Sequence, residues 1–124
     1  TNPEISAVTD ALKTIKLAEK MNKRILGVII TRSTGKPWEM DLPTIRDMLE
    51  VPILGIVPED DSIKESQRMK KPVIHSHPRS KSAREYRKIA KRLLGSAYMK
   101  KAKEAEKKTE SFFKKLLKSM GLKK

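Results

Sequence analysis

The sequence predicts an α/β fold: a parallel sheet of two to three strands with helices, followed by a long C-terminal helix. Two apolar runs rich in β-branched residues, 25–30 and 53–57, are too short for helices and typical of strands covered on both faces. A helical pattern lies between them, so the order strand, helix, strand predicts a right-handed βαβ unit. The last third of the chain is biased toward lysine, glutamate and alanine, which favours helix.

Capping residues and apolar periodicity set the predicted helix boundaries. The first helix is predicted from Ser6, as its cap, to about Met21. The helix between the two strands is predicted to start at Asp41 as its cap. Another short helix is predicted to begin at Asp61 or Ser62.

The segment 71–78 is predicted to return through a third, weaker strand or an extended loop. A further helix then carries an apolar stripe that we expect to be buried, and Gly95 predicts a stop or a bend. The stripe consists of Ala83, Tyr86, Ile89, Ala90, Leu93 and Leu94.

A parallel sheet of so few strands is a poor independent unit, because such sheets need helices on both faces and open edges invite pairing. The chain also opens at a turn, 2–4, of the kind that follows the carboxyl end of a strand. We therefore expect the later half of a larger α/β domain. The alternative is a small, self-contained α/β domain.

The net charge of +14 is spread unevenly. Residues 1–78 hold 12 basic and 11 acidic side chains, whereas 79–124 hold 17 and 4. A cationic tail predicts an anionic partner, either phospholipid headgroups or nucleic acid, unless the charges only solvate a helix. The absence of cysteine excludes disulfides and thiolate chemistry and suits a reducing cytoplasm. No apolar run is long enough to cross a bilayer.

No pattern of catalytic side chains emerges from the sequence. His75 and His77 are two residues apart in a proline-bounded segment without a third ligand nearby, so we predict no metal site. The consecutive acids at 59–61 fit helix capping better than acid–base catalysis.

Four consecutive stretches resemble one known family. TNPEISAVTDALKTIKLAEKM, RILGVIITRS, VPILGIVPEDDSIKES and KPVIHSHPRSKSAREYRKIAKRLLG are similar, in order, to the carboxyl half of MinD-like proteins. These belong to the MinD/ParA family of deviant Walker P-loop ATPases. The resemblance predicts three segments: 1–95 as the C-terminal part of the ATPase domain, 96–109 as a charged helical spacer, and 110–124 as a membrane-targeting amphipathic helix.

The resemblance implies a P-loop NTPase-type sheet in a protein that dimerises around two ATP molecules with magnesium and hydrolyses them slowly. In the family the phosphate loop and the magnesium ligands lie in the amino half. Here no G-x-x-x-x-G-K-[ST] pattern occurs among the 124 residues. We therefore expect this chain alone neither to hydrolyse ATP nor to bind the cofactor.

The resemblance also implies residues that contact the nucleotide base: Thr31, Arg32, Pro58, Glu59 and Asp60. Thr31 stands where the family usually has Asn, and one hydroxyl cannot make the two-pronged pairing of an amide with adenine. Base selectivity therefore does not carry over. Without the resemblance, positions 58–60 are a strand end followed by a helix cap.

Glu4, Ser6 and Asp10 match positions at the dimer and partner face of the family. The pattern alone makes Ser6 a helix cap and the two acids favourable neighbours of the helix dipole. Thr9 replaces a commonly basic residue, so the identity of a protein partner does not carry over.

The end of the chain carries an apolar stripe at helical spacing, flanked by lysines. The stripe is Phe112, Phe113, Leu116, Leu117 and Met120, and the lysines are Lys114, Lys115 and Lys118. This pattern predicts a helix lying in the interface of an anionic membrane. The alternatives are packing against the protein's own core and a coiled coil.

Together these observations predict the C-terminal portion of a MinD-like ATPase that acts in septum site placement and binds the membrane reversibly. We expect it in the cytoplasm, peripheral at the inner face of the cell membrane, with an ATP-dependent homodimer and cell-division regulators as partners of the complete protein. The alternative is a ParA-like partition protein that binds DNA non-specifically, since 79–92 carries seven basic residues.

Overall fold

The computed structural model describes residues 1–121, without the side chains of 96–100 and 102. It divides into two compact units, Thr1–Ile89 and Ala90–Lys124. In chain order the elements are α1 (Ile5–Lys20), β1 (Val28–Ser33), α2 (Leu42–Leu49), β2 (Ile53–Pro58), α3 (Asp61–Arg68), α4 (Val73–Ser76) and α5 (Lys81–Ser119).

The sheet of the described residues consists of two parallel strands, β1 and β2, joined through α2. The predicted α/β fold with a βαβ unit and a C-terminal helix is thereby confirmed. The third strand or extended loop predicted over 71–78 is wrong, because α4 forms there instead. The carbonyl of Pro72 accepts hydrogen bonds from the backbone N–H groups of His75 and Ser76, so the segment satisfies its backbone locally.

The first residue of the chain lies alongside β1. The nitrogen of Thr1 donates to the carbonyl of Ile29 at 3.0 Å, and the N–H of Thr31 donates to the carbonyl of Thr1 at 2.7 Å. On the other edge of β1, the N–H of Val28 donates to the carbonyl of Pro52. Thr1 therefore occupies the position of a parallel neighbour on the edge of β1 that faces away from β2.

One hydrophobic cluster joins α1 and α2 to the sheet. Its buried members are Val8, Ile15, Val28, Ile30, Ile45 and Leu49. Each such side chain stabilises the fold by about 1.5–3 kcal/mol relative to an exposed one. The β-branched run of β1 and the apolar faces predicted for the two helices meet in this cluster, which fixes the carboxyl ends of the strands.

Two of the three predicted helix starts agree with the structure. Asp41 caps α2 by accepting a hydrogen bond from the N–H of Thr44 at 2.8 Å, and α3 begins at Asp61. Ser6 is not the cap of α1, because the helix starts two residues earlier than predicted, with Glu4 in the capping position. There the side chain of Asn2 accepts a hydrogen bond from the N–H of Glu4, so the predicted turn at 2–4 opens the helix directly.

The stripe predicted for the helix after residue 80 is only partly buried. Ala83 and Ile89 are buried, but Tyr86, Leu93 and Leu94 are exposed. Leu93 and Leu94, like Ala90, belong to the second unit, whereas Tyr86 belongs to the first. The bend predicted at Gly95 is present: its φ of 74° and ψ of 163° interrupt α5 in a region open essentially to glycine alone.

Candidate functional sites

The carboxyl ends of β1 and β2 lie side by side, and the N–H of Glu59 donates to the carbonyl of Ser33 at 2.9 Å. Arg32 has a left-handed backbone with φ of 56°, at an irregularity in the register of the two strands. A non-glycine residue in that region is uncommon. The bend exposes the side chain of Arg32, and it stands beside Glu59 between two cavities.

The first cavity, which we call the tryptophan cavity, has a volume of about 380 Å³. Its wall includes Pro3, Glu4, Arg32, Lys36, Trp38 and Glu59. The second, the α3 cavity, has a volume of about 290 Å³ and is lined by Arg32, Glu59, Asp60, Lys64 and Gln67, among others. Both cavities open at the carboxyl edge of the sheet, where ligands of α/β proteins bind.

The carboxylate of Asp60 is engaged in capping two helices. One oxygen accepts from the N–H of Ser62 at 2.9 Å, and the other accepts from the N–H of Ser82 at 3.0 Å and from its hydroxyl at 2.8 Å. These bonds, the one from the Ser82 N–H foremost, lower the pKa of Asp60 to about 2. Asp60 therefore holds the starts of α3 and α5 against the end of β2.

The structure brings together three of the five residues that the sequence associates with the base. Arg32, Glu59 and Asp60 share the α3 cavity. The hydroxyl of Thr31 donates to the carbonyl of Thr1 at 3.1 Å, so it is occupied by the first residue of the chain. Pro58 lines a different cavity, described next.

A third cavity, which we call the basic cleft, has a volume of about 470 Å³. Lys81, Arg84 and Lys88 line it from one face of α5, opposite Ile56 and Pro58. Lys88 is paired with Glu85 at 2.6 Å. Three of the seven basic residues in 79–92 converge in this cleft, and Glu85 lines it as well.

A loop that sequence reasoning missed follows β1. The carboxylate of Glu39 accepts from the N–H and the hydroxyl of Thr34 at 2.8 and 2.5 Å, and from the N–H of Gly35 at 3.1 Å. These bonds, the one from the Thr34 hydroxyl foremost, lower the pKa of Glu39. The closed loop presents Trp38, the single tryptophan of the sequence, with 78% of its surface exposed. The signal in the sequence is a solitary large aromatic residue between Pro37 and Glu39.

The predicted partner-face residues are all exposed at the start of α1. Glu4 lines the tryptophan cavity. Ser6 and Asp10 are four residues apart and therefore lie on one side of the helix. The structure thus places Glu4, but not Ser6 or Asp10, at the carboxyl edge of the sheet.

The two histidines do not form a ligand pair. His77 bonds to the carboxylate of Glu65 at 2.8 Å through one ring nitrogen and to the hydroxyl of Ser76 at 2.9 Å through the other, whereas His75 is exposed. Within the described residues, no group of three or more side chains could hold a metal ion.

The apolar stripe at the end of the chain is exposed on a continuous helix. The exposed fractions are 63% for Phe112, 56% for Phe113, 43% for Leu116, 45% for Leu117 and 64% for Met120. The two phenyl rings meet edge to face, with centroids 6.4 Å apart. Lys114, Lys115 and Lys118 are exposed as well, on the remaining face of the same turns. No helix among the described residues is long and apolar enough to cross a membrane.

Known proteins with similar sequences were found in archaea and bacteria. An uncharacterised ATP-binding protein of Methanocaldococcus jannaschii is 35% identical over 119 residues, which are 96% of this chain and 44% of that protein. The septum site-determining protein MinD of Neisseria meningitidis is 33% identical, over 94% of this chain and 46% of its own length. The chain thus spans less than half the length of these relatives. No family model matches it.

Solved structures of similar fold include two of archaeal and bacterial proteins. MinD of Pyrococcus horikoshii, complexed with Mg-ADP, superimposes with a TM-score of 0.68 and 34% identity over 73% of this chain and 37% of its own. The MinC:MinD cell division protein complex of Aquifex aeolicus superimposes with a TM-score of 0.69 and 28% identity, over 77% of this chain and 41% of its own.

The fold is therefore that of part of a P-loop ATPase of the α/β class. More particularly, the homologues of this chain are MinD septum site-determining proteins and MinD-like ATP-binding proteins, and the chain matches their C-terminal portion. The resemblance read from the sequence is confirmed.

Proposed function

We propose that this chain is the C-terminal portion of a MinD-like ATPase that positions the division septum and attaches reversibly to an anionic membrane through residues 110–124. The observation that carries the proposal is the exposed stripe of the final helix, with lysines on the remaining face. That arrangement is what a helix needs to lie in a bilayer interface. The place of action is accordingly the cytoplasm, at the inner face of the cell membrane.

The energetics favour weak and switchable attachment. Each large apolar side chain that enters the interface contributes about 1.5–3 kcal/mol, and each lysine near anionic lipid about 1 kcal/mol. These gains are offset by the cost of ordering a short helix that is marginal in water. Attachment by one copy is therefore reversible, and two copies held together bind much more tightly.

Cosedimentation with vesicles containing anionic phospholipid tests the proposal. Phe113→Glu places a charge in the middle of the stripe, and we expect it to abolish cosedimentation. The matched control is Ser111→Glu, which adds the same charge to the opposite face of the same turn and should lower binding only slightly. Equal losses in the two variants would contradict the proposal, because net charge would then explain the binding.

The nucleotide site of the complete protein is proposed at the carboxyl edge of the sheet, with Arg32 and Glu59 contacting the base and Asp60 fixing the loop that carries them. Support comes from the shared α3 cavity and from the relatives, of which one is named an ATP-binding protein and another was solved with Mg-ADP. ATP and magnesium are the proposed cofactors of the complete protein.

A cell-division regulator is the proposed protein partner, since one relative was solved as a MinC:MinD complex. Ser6 and Asp10 are accessible for such a contact on the side of α1. An ATP-dependent homodimer is proposed for the complete protein as well.

The second candidate function, non-specific DNA binding, is favoured by the basic cleft. It requires Lys81 and Arg84 but not the phenylalanines, and its affinity falls steeply with salt. In the cosedimentation experiment, vesicle binding that survives Phe113→Glu but is lost with Lys81→Glu and Arg84→Glu, together with DNA binding lost in the same double variant, would favour this candidate.

A further inference from the structure

The first turns of α5 are fixed against the end of β2. Ser82 is fully buried, and its N–H and hydroxyl donate to the carboxylate of Asp60 at 3.0 and 2.8 Å. Ala83 and Ile89 are buried too, and their spacing puts them on the same side of the helix as Ser82. The opposite side of these turns therefore presents its side chains from a backbone that is held in place from behind.

That opposite side carries four charged residues in one stripe. Lys81, Arg84, Glu85 and Lys88 are spaced i, i+3, i+4 and i+7, so the stripe is about 10 Å long, and all four residues line the basic cleft. Lys88 is paired with Glu85 at 2.6 Å. Lys81 and Arg84 take part in no salt bridge between described residues. Two cations are thus left at the amino end of the stripe.

The other wall of the basic cleft is apolar. Ile56 and Pro58, both half-buried, line it from β2. The volume of about 470 Å³ lies within the range of sites for small organic ligands. An inorganic anion would leave the apolar wall uncovered, and an uncharged ligand would leave the two cations without a counterpart. The cleft is therefore complementary to a molecule that is anionic at one end and apolar at the other.

We propose that the basic cleft binds an amphiphilic phosphate, in which an anionic phosphoryl group is joined to an apolar body. The guanidinium of Arg84 is a planar fork that suits two phosphate oxygens, and Lys81 adds a second positive charge. The apolar body then lies on Ile56 and Pro58. Anionic phospholipids and free organic phosphates share this chemistry. The site belongs to the unit Thr1–Ile89 and does not depend on the final helix.

Isothermal titration calorimetry of the chain tests the inference, in the Phe113→Glu background so that the apolar stripe does not capture lipid. The probes are dihexanoyl phosphatidylglycerol below its micelle-forming concentration, phenyl phosphate and inorganic phosphate. We expect one of the two organic probes to bind at one site per chain, about tenfold or more tighter than inorganic phosphate, because its apolar body leaves water. The tighter organic probe identifies the source as a membrane lipid or a free organic phosphate.

Three variants test the side chains of the cleft. Arg84→Gln removes the fork and should weaken binding of the tighter probe about tenfold or more. The matched control is Arg68→Gln, an exposed arginine outside the lining of the cleft, which should leave the affinity unchanged. Glu85→Gln should tighten binding by about twofold to fivefold, since it removes an acidic side chain from the cleft and releases Lys88. Circular dichroism verifies that the variants are folded.

The inference is overturned if neither organic probe saturates a site, or if Arg84→Gln and Arg68→Gln weaken binding equally. Equal affinities for the organic probes and inorganic phosphate also overturn it, because the apolar wall would then play no part. A short DNA duplex that binds more tightly than either probe and is lost with Arg84→Gln would favour the second candidate function instead. Failure of the membrane proposal is distinguishable, since it is measured with vesicles and the unaltered final helix.

Discussion

At the scale of single residues, Asp60 connects three elements. It follows β2, caps α3 through Ser62, and reaches Ser82, 22 positions further along, at the start of α5. Ser82 is fully buried, so its polar atoms need a partner within the protein. Asp60, which the family resemblance associates with the nucleotide base, therefore also stabilises the fold.

Replacing Asp60 with Asn should destabilise the protein by about 1–3 kcal/mol, because charge-assisted hydrogen bonds to Ser82 are lost. Since the pKa of Asp60 in the folded protein, about 2, lies below its ordinary 3.8, its contribution is full above about pH 4 and is lost as the pH falls toward 2. Urea unfolding at a series of pH values between 6 and 2 measures this.

The control for that experiment is Asp61→Asn, one residue away. The side chain of Asp61 is 92% exposed and contacts only Lys64 among the described salt bridges. Its variant should keep both the stability and the acid sensitivity of the unaltered chain. If the two variants respond equally to acid, Asp60 is not the source of the pH dependence.

The sequence predicted a role for Asp60 but did not reveal Ser82 as its hydrogen-bond partner. A cap is a local pattern, so the position after β2 could be assigned from the neighbouring residues. Ser82 lies a long way along the chain, and only the packing of α5 brings its N–H to the carboxylate. The same limit applies to Glu39 and Trp38, whose roles depend on the closure of a loop.

At the scale of elements, the residues that precede the two strands approach each other closely at Gly27. A Cβ added there would lie 2.6 Å from the carbonyl oxygen of Pro52 and 2.7 Å from Cγ of Leu54. That carbonyl accepts the hydrogen bond from Val28 that opens the pairing. The apolar run begins at residue 25, but β1 starts at Val28, after this contact.

Gly27→Ala should therefore lower the free energy of unfolding by about 1–3 kcal/mol, because the strands must separate to admit the methyl group. Gly35→Ala is the comparison: its φ of 69° strains any side chain, but nothing lies within 4 Å of the added atom. Its cost should be smaller, about 1 kcal/mol. The midpoints of urea unfolding rank the stabilities of the two variants. An equal or reversed order would show that the contact with Pro52 does not matter.

Apolar periodicity predicted most of the helices and strands, and the wrong predictions have local causes. The apolar runs predicted both strands, and Asp41 predicted the start of α2. Val73 and Ile74 of α4 are β-branched, as strand residues often are. The segment nevertheless coils around the Pro72 carbonyl, because two prolines leave too little chain for a ladder.

At the scale of the whole molecule, the expected consequence of pairing two copies is tighter attachment to the membrane. A chain fused to a parallel dimeric coiled coil presents two stripes, and the second one binds at the effective concentration set by its tether. We expect apparent affinity for anionic vesicles to rise by about 10²-fold or more over the unfused chain.

Vesicle titration of the fused and unfused proteins measures that gain. Fusion to a coiled coil made monomeric by a core substitution controls for the added residues. A gain of only about twofold would mean that the two helices do not engage the same surface, and it would remove the link between pairing and attachment.

The break at Gly95 has a further consequence for use of the chain as a tool. Because the helix is interrupted there, residues 96–121 do not depend on an unbroken helical register with what precedes them. The segment should therefore be portable: we expect two tandem copies appended to a fluorescent protein to act as a biosensor for negatively charged lipid in living cells, with a brightness at the cell periphery that follows local headgroup composition.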